Sequence, residues 1–264
     1  MEGARGAKYN ARENTKMSLS RLRVILLSLL AVFAITAVAS SSASAHEFLV
    51  CQEAGTEKYT EHLCSAKSET GKWSFAAIAA GKSFEVEGTS GVSKLEGTIG
   101  GQKVIIECST DVTKVTLEPA GATKGTITFS GCKIFSVTKG KKTLLKCVVN
   151  SVAEAAEKIK LTFLDVLVTG KGGGPEDEFK PAVAEKPFVE IETSGAECAL
   201  VAKTAVTGTT ICQLPEAEVG LVEHEIACSP SGSSLKLGAT AAGFFSAAKV
   251  KIVGTGAGWS WFAT

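Results

Sequence analysis

From Gly81 onward apolar and polar residues alternate between Gly- and Thr-rich turns, as in Val104-Ile105-Ile106-Glu107-Cys108, Val115-Thr116-Leu117 and Thr126-Ile127-Thr128-Phe129. A period of two places successive side chains on opposite faces of a strand, so each segment has one face for a core and one for water. A chain written this way predicts an all-β fold. Closing such strands over a shared core leaves two architectures open, a disulfide-stapled β-sandwich or a barrel. In one place the parity slips: Cys132 and Ile134 fall out of phase with Ile127 and Phe129. A glycine bulge at Gly131 would return them to the inner face.

The compartment is read from the stretch before these strands. Arg21 and Arg23 precede an apolar run from Val24 to Ala39, and Ala43-Ser44-Ala45 has the small-x-small pattern of a signal-peptidase site. Residues 1–45 therefore read as a signal peptide, with Met17 as an alternative start, and the mature chain begins at His46. A membrane anchor fits less well, because Ser28 and Thr36 interrupt the run and Ser40-Ser41-Ser42 end it. Lipid attachment at Cys51 would need a small residue where Val50 stands.

All eight cysteines follow that cleavage site. An even number in an exported chain predicts disulfides, and none has the two-residue spacing of a redox or zinc motif. Cys51 and Cys64 bracket a polar loop, as do Cys198 and Cys212, so both pairs are expected to close locally. Closing a loop of that size removes about 3 kcal/mol of unfolded-state freedom. Cys108 with Cys132 and Cys147 with Cys228 complete the expected scheme.

Gly170-Lys171-Gly172-Gly173-Gly174-Pro175-Glu176-Asp177-Glu178, with Pro181 and Pro187, is the strongest break in the pattern. It reads as a flexible loop over 170–187 joining two halves, 46–169 and 188–264. The halves show a faint echo: Cys108-Ser109 aligns with Cys228-Ser229, and Lys133-Ile134 with Lys251-Ile252. Ser151–Lys158, with three alanines among glutamates, is the one expected helical turn or two. Ile159-Lys160-Leu161-Thr162-Phe163 followed by Leu164, Val166, Leu167 and Val168 predicts a central strand, in which Asp165 is expected as a hydrogen-bonded bulge carboxylate.

Composition narrows function mainly by exclusion. Of 28 basic and 27 acidic residues, six basic and two acidic fall before His46, which leaves the mature part slightly acidic. Its cations are all lysine, since no arginine follows Arg23, and this argues against nucleic-acid or phosphate recognition by bidentate guanidinium groups. After residue 45 the three aspartates (Asp111, Asp165, Asp177) and one asparagine, Asn150, do not build a calcium loop. Gly81-Lys82-Ser83 lacks the upstream glycine of a phosphate loop and runs into a strand. No Gly-x-Ser-x-Gly, His-Glu-x-x-His or dinucleotide glycine pattern is present.

The pattern Leu49-Val50-Cys51-Gln52-Glu53-Ala54-Gly55-Thr56, Lys58-Tyr59, Cys64 and Gly71-Lys72-Trp73, followed by Leu95-Glu96-Gly97-Thr98-Ile99, Ile106-Glu107-Cys108 and Cys228-Ser229-Pro230-Ser231-Gly232, resembles a group of exported bacterial proteins to which no activity is assigned. The likeness covers most of the mature chain. It implies export and an oxidised cysteine framework and adds nothing on mechanism.

Two functional readings remain. The first is an exported, non-catalytic structural or binding protein without a cofactor, its partner a cell-envelope polymer or an extracellular protein, with no membrane anchor after cleavage. Trp259 and Trp261 lie on one face of the last strand and offer either a closing core strand or a small aromatic ligand platform. The second is a secreted enzyme. Cleavage would make His46 N-terminal, and its amine and ring together chelate copper when a second histidine completes the site, in the manner of copper monooxygenases that attack polysaccharides. His224, on the apolar face with Val222, Ile226 and Cys228, is the candidate second ligand, with His62 as its alternative.

Overall fold

The computed structural model describes residues 46–53, 58–119, 122–152, 154–170, 174–214 and 221–263, so the expected signal peptide lies outside the described residues. All regular elements among them are strands. The chain opens with β1 (His46–Glu53) and β2 (Trp73–Ala77), paired antiparallel. Then come β3 (Phe84–Ser90), β4 (Ser93–Ile99), β5 (Gln102–Cys108), β6 (Thr110–Leu117) and β7 (Ala122–Ser130). They are followed by β8 (Lys133–Thr138), β9 (Lys141–Leu144), β10 (Val148–Ser151), β11 (Lys158–Thr169) and β12 (Pro175–Pro181). The remainder is β13 (Val189–Ser194), β14 (Ala202–Thr207), β15 (Thr210–Gln213), β16 (Glu223–Ser229), β17 (Lys236–Leu237), β18 (Thr240–Ala241), β19 (Gly243–Ile252) and β20 (Trp259–Ala263).

Eight of these strands close on themselves. In the order β3, β6, β7, β11, β12, β15, β16, β19 each pairs antiparallel with the next, and β19 returns to β3. Of the two architectures expected, the barrel is the one formed, with further sheets added to it. Spatial order equals chain order, so this is an up-and-down barrel with insertions. The insertions, β4–β5, β8–β10, β13–β14 and β17–β18, all follow strands that run in the same direction and therefore leave from one end of the barrel. There β4, β5, β8 and β9 extend from β19 as one sheet, and β10, β13, β14, β17 and β18 form another.

Two cores result. Around the insertion end Ile106, Ile134, Val149, Ile191 and Leu237 pack with Phe129 and Phe163 of the barrel. At the opposite end β20 joins β1 and β2 in a three-stranded sheet, and Phe48, Trp259 and Trp261 pack on Leu117, Leu167 and Ile252. The barrel exterior carries Glu85, Lys114, Lys124, Lys160, Glu223 and Lys251, the reverse of a lipid-facing barrel wall.

Alternation correctly placed the inner faces of most strands, and Gly131 does return Cys132 and Ile134 to the core. It does so in the turn between β7 and β8, with φ 63°, where a Cβ would lie 2.3 Å from Ser109 Oγ, and not as a bulge within one strand. Ser151–Lys158 forms no helix among its described residues. Ser151 and Ala155 carbonyls accept from Glu154 and Lys158 in two separate tight turns, and Glu157, at φ 60°, breaks right-handed helical propagation.

The loop expected over 170–187 is corrected in its centre, where β12 is a full barrel strand between β11 and β15. Its prolines stand at the two ends, where the lost N–H does least harm, and Asp177 and Phe179 alternate with Glu176, Glu178 and Lys180. Strands from the two expected halves share the same barrel, with β19 beside β3.

All eight cysteines are paired, but two of the expected partnerships exchange. Cys51–Cys64 and Cys108–Cys132 form as expected, whereas the other bridges are Cys147–Cys198 and Cys212–Cys228. The stretch between Cys198 and Cys212 holds β14, so it carries them apart: Cys198 reaches the start of β10, while Cys212 lies opposite Cys228 on neighbouring barrel strands. Non-reducing peptide mapping is expected to recover these four links, and a Cys198–Cys212 peptide would contradict the strand order.

Phe163 lies directly across from Gly125, and a Cβ there would come within 2.4 Å of its ring. The ring covers the glycine, a device that lets a strand bend around a barrel. Gly125→Ala is expected to cost about 1–3 kcal/mol by overpacking, read as a lowered urea midpoint. A neutral result would show that the ring moves freely.

Candidate functional site

All three aspartates of the chain lie inside the barrel, 3, 5 and 1 % exposed for Asp111, Asp165 and Asp177. Parity explains this placement. On β11 the inward positions are Ile159, Leu161, Phe163, Asp165 and Leu167, so Asp165 has no route to water without reversing its neighbours. Its register is continuous on both sides, with Thr123 on β7 and Phe179 on β12 directly opposite, so the expected bulge is absent. Asp177, one inward step along β12 from Phe179, is the diagonal neighbour of Asp165.

The two carboxyl groups hydrogen-bond each other, and the Thr123 hydroxyl donates to Asp165 Oδ2 at 3.1 Å. Loss of water pushes Asp165 up to about 7 against the help of these hydrogen bonds. Asp177 is raised well above the usual carboxylate range, first by burial and then by the adjacent Asp165. The arrangement is a proton-sharing pair in which Asp177 donates and Asp165 accepts. Oδ1 of each has no hydrogen-bond partner. Asp111 lines the same interior space as the pair but is held toward the insertion end, where Oδ2 accepts from the Ser90 and Ser93 hydroxyls, and Ser93 also meets Ser246 at 2.9 Å.

The opposite end is held by aromatic packing. His224 is 2 % exposed, its ring centroid 4.7 Å from that of Trp259 and 4.4 Å from that of Trp261. Its Nε2–H donates to the Trp259 carbonyl at 2.7 Å, which assigns the proton to that nitrogen. Trp259 Nε1 donates in turn to the Val222 carbonyl at 3.1 Å. The tryptophans, 2 and 0 % exposed, are therefore core residues and present no surface platform. Their spacing places them on one face, as expected, but that face is the one turned into the barrel.

His46 and His224 meet different partners. The main chain of His46 pairs with Ala263 at one end of the β1–β20 ladder, while His224 engages Trp259 at the other, roughly 13 Å along the strand. His62 stands beside Trp73, with ring centroids 6.1 Å apart. No cluster of three or more His, Cys, Asp or Glu side chains suited to a metal occurs among the described residues. The signal missed in the sequence was Asp177, hidden by a Gly/Pro-rich context although it alternates correctly with Phe179. The chain matches no protein-family model, no curated protein and no solved structure.

The buried pair sets a pH dependence. Because the folded value of Asp165 lies above its unfolded value near 3.9, its stabilising contribution is complete below about pH 4 and is lost as pH rises through about 7. Urea unfolding is expected to show a loss on the order of 3 kcal/mol between pH 4 and 8. Asp165→Asn should make that loss smaller, with Asp177 keeping its own share through burial, and an unchanged slope in this variant would assign the dependence elsewhere.

Proposed function

We propose that the chain acts after export as a non-catalytic binding or structural protein of the extracellular space or cell envelope. The observation that carries this reading is the inward placement of the acid–base groups most suited to chemistry. Asp165 and Asp177 are committed to each other and to Thr123, and His224 supports the tryptophan plug. A general acid or base must come within hydrogen-bond reach of its substrate, which these buried groups offer only to a molecule small enough to enter when the barrel opens locally. The four disulfides fit an oxidising compartment, and the polar barrel exterior suits water. The partner on this reading is an envelope polymer or another extracellular protein.

Expression of the full chain in a bacterial host tests the assignment. The expected product lies outside the cytoplasm, starts at His46 and is eight hydrogens lighter than its reduced form. Cytoplasmic material with free thiols, or a product that keeps residues 24–45, would overturn export. A hydrolytic activity abolished by Asp165→Asn would replace the non-catalytic reading with an enzymatic one.

A further inference from the structure

Two unfilled spaces lie inside the molecule along the barrel. The one nearer the insertions, about 90 Å³, is bounded by residues such as Leu95, Leu161, Phe163 and Leu235, with Lys94 also in its wall. The second, about 60 Å³, includes Asp111, Asp165 and Asp177 in its wall. Phe129, Phe179 and Phe244 line both spaces, and Phe179 lies opposite Asp165 in the strand register. Each space is smaller than the roughly 150 Å³ of an engineered apolar cavity that admits benzene, so a ligand among these shared rings requires them to shift.

The chemistry of the second wall is one-sided. The Asp165–Asp177 pair carries up to one negative charge, and none of the ion pairs formed among the described residues includes either group. A carboxylate removed from water without a cation is costly, and the free Oδ1 atoms are hydrogen-bond acceptors still to be satisfied. Water can satisfy those acceptors but brings no charge. An ammonium group supplies both donors and charge, and aromatic rings around it add a cation–π attraction.

We propose that the barrel interior binds a small primary amine with an apolar body, the ammonium on the free Oδ1 atoms of Asp165 and Asp177 and the body among Phe129, Phe179 and Phe244. This deepens the non-catalytic binding reading and rests on it. Entry runs past Lys94 and between the aromatic side chains, through local opening of the insertion sheets.

The test uses the full mature protein titrated with benzylamine, and with toluene as an uncharged probe of the same shape, by calorimetry and thermal unfolding. Benzylamine is expected to bind more tightly than toluene and to raise the unfolding midpoint. The Asp165→Asn/Asp177→Asn variant, confirmed as folded by circular dichroism and intact disulfides, should lose about tenfold or more in benzylamine affinity while its toluene affinity holds. Should that variant not fold, Asp177→Asn alone is used with the same criterion. Equal affinity for the two probes, undiminished benzylamine binding in the variant, or no binding of benzylamine would overturn the proposal. Amine binding can fail while export and the absence of turnover still hold; consumption of bound benzylamine would instead sink the non-catalytic reading.

Discussion

β19 is hydrogen-bonded on both sides, to β16 and to β3, and that double pairing is the condition on which the other arrangements rest. Without it the eight strands would form an open sheet with two edges, each a row of unpaired N–H and C=O groups. With it the inner faces enclose a single volume, which the side chains must fill. The first residues of β19 continue past the barrel to pair with β4, so the same strand that closes the barrel also founds one of the added sheets.

Closure makes the two ends of the barrel the remaining problem, and the molecule solves them differently. One end is filled by Trp259 and Trp261 on the last strand, steadied by the His224 hydrogen bond. Burying these large rings is favourable only if their N–H donors find partners, and His224 Nε2 and Trp259 Nε1 do so on backbone carbonyls. The other end is covered by two sheets made from insertions, cross-linked by Cys108–Cys132 and Cys147–Cys198. The acid pair sits between these closures, buried among the inward-facing side chains of β11 and β12.

Much of this was legible in the sequence because parity is a local property. The alternation marks Phe129, Phe163 and Leu167 as inward residues, places His224 with Ile226 on an apolar face, and carries Cys132 back into phase after Gly131. What parity does not contain is the choice of neighbour. Cys198 and Cys212 look like a local pair until β14 is seen to run between them, and Asp177 looks solvated until β11 and β15 are seen on either side of it. Composition misled in the same place, since Gly, Pro and acidic residues flank a strand whose inward positions are only Asp177 and Phe179. The tryptophan spacing was readable, but that both faces of Trp259–Trp261 are buried depended on β1 and the barrel mouth.

The partnership of early and late strands sets a schedule for assembly. A chain that emerges from its amino-terminal end presents β3 long before β19, and Ser93 must wait for Ser246, 153 residues away. The Cys51–Cys64 and Cys108–Cys132 bridges, with separations of 13 and 24, join cysteines that emerge close together in time. The barrel itself has no such early route, because its closing strand and its plug are the last segments to arrive. Folding rate then follows the long sequence separation of the closing contacts, and synthesis must reach β19 before the open flank of β3 is protected.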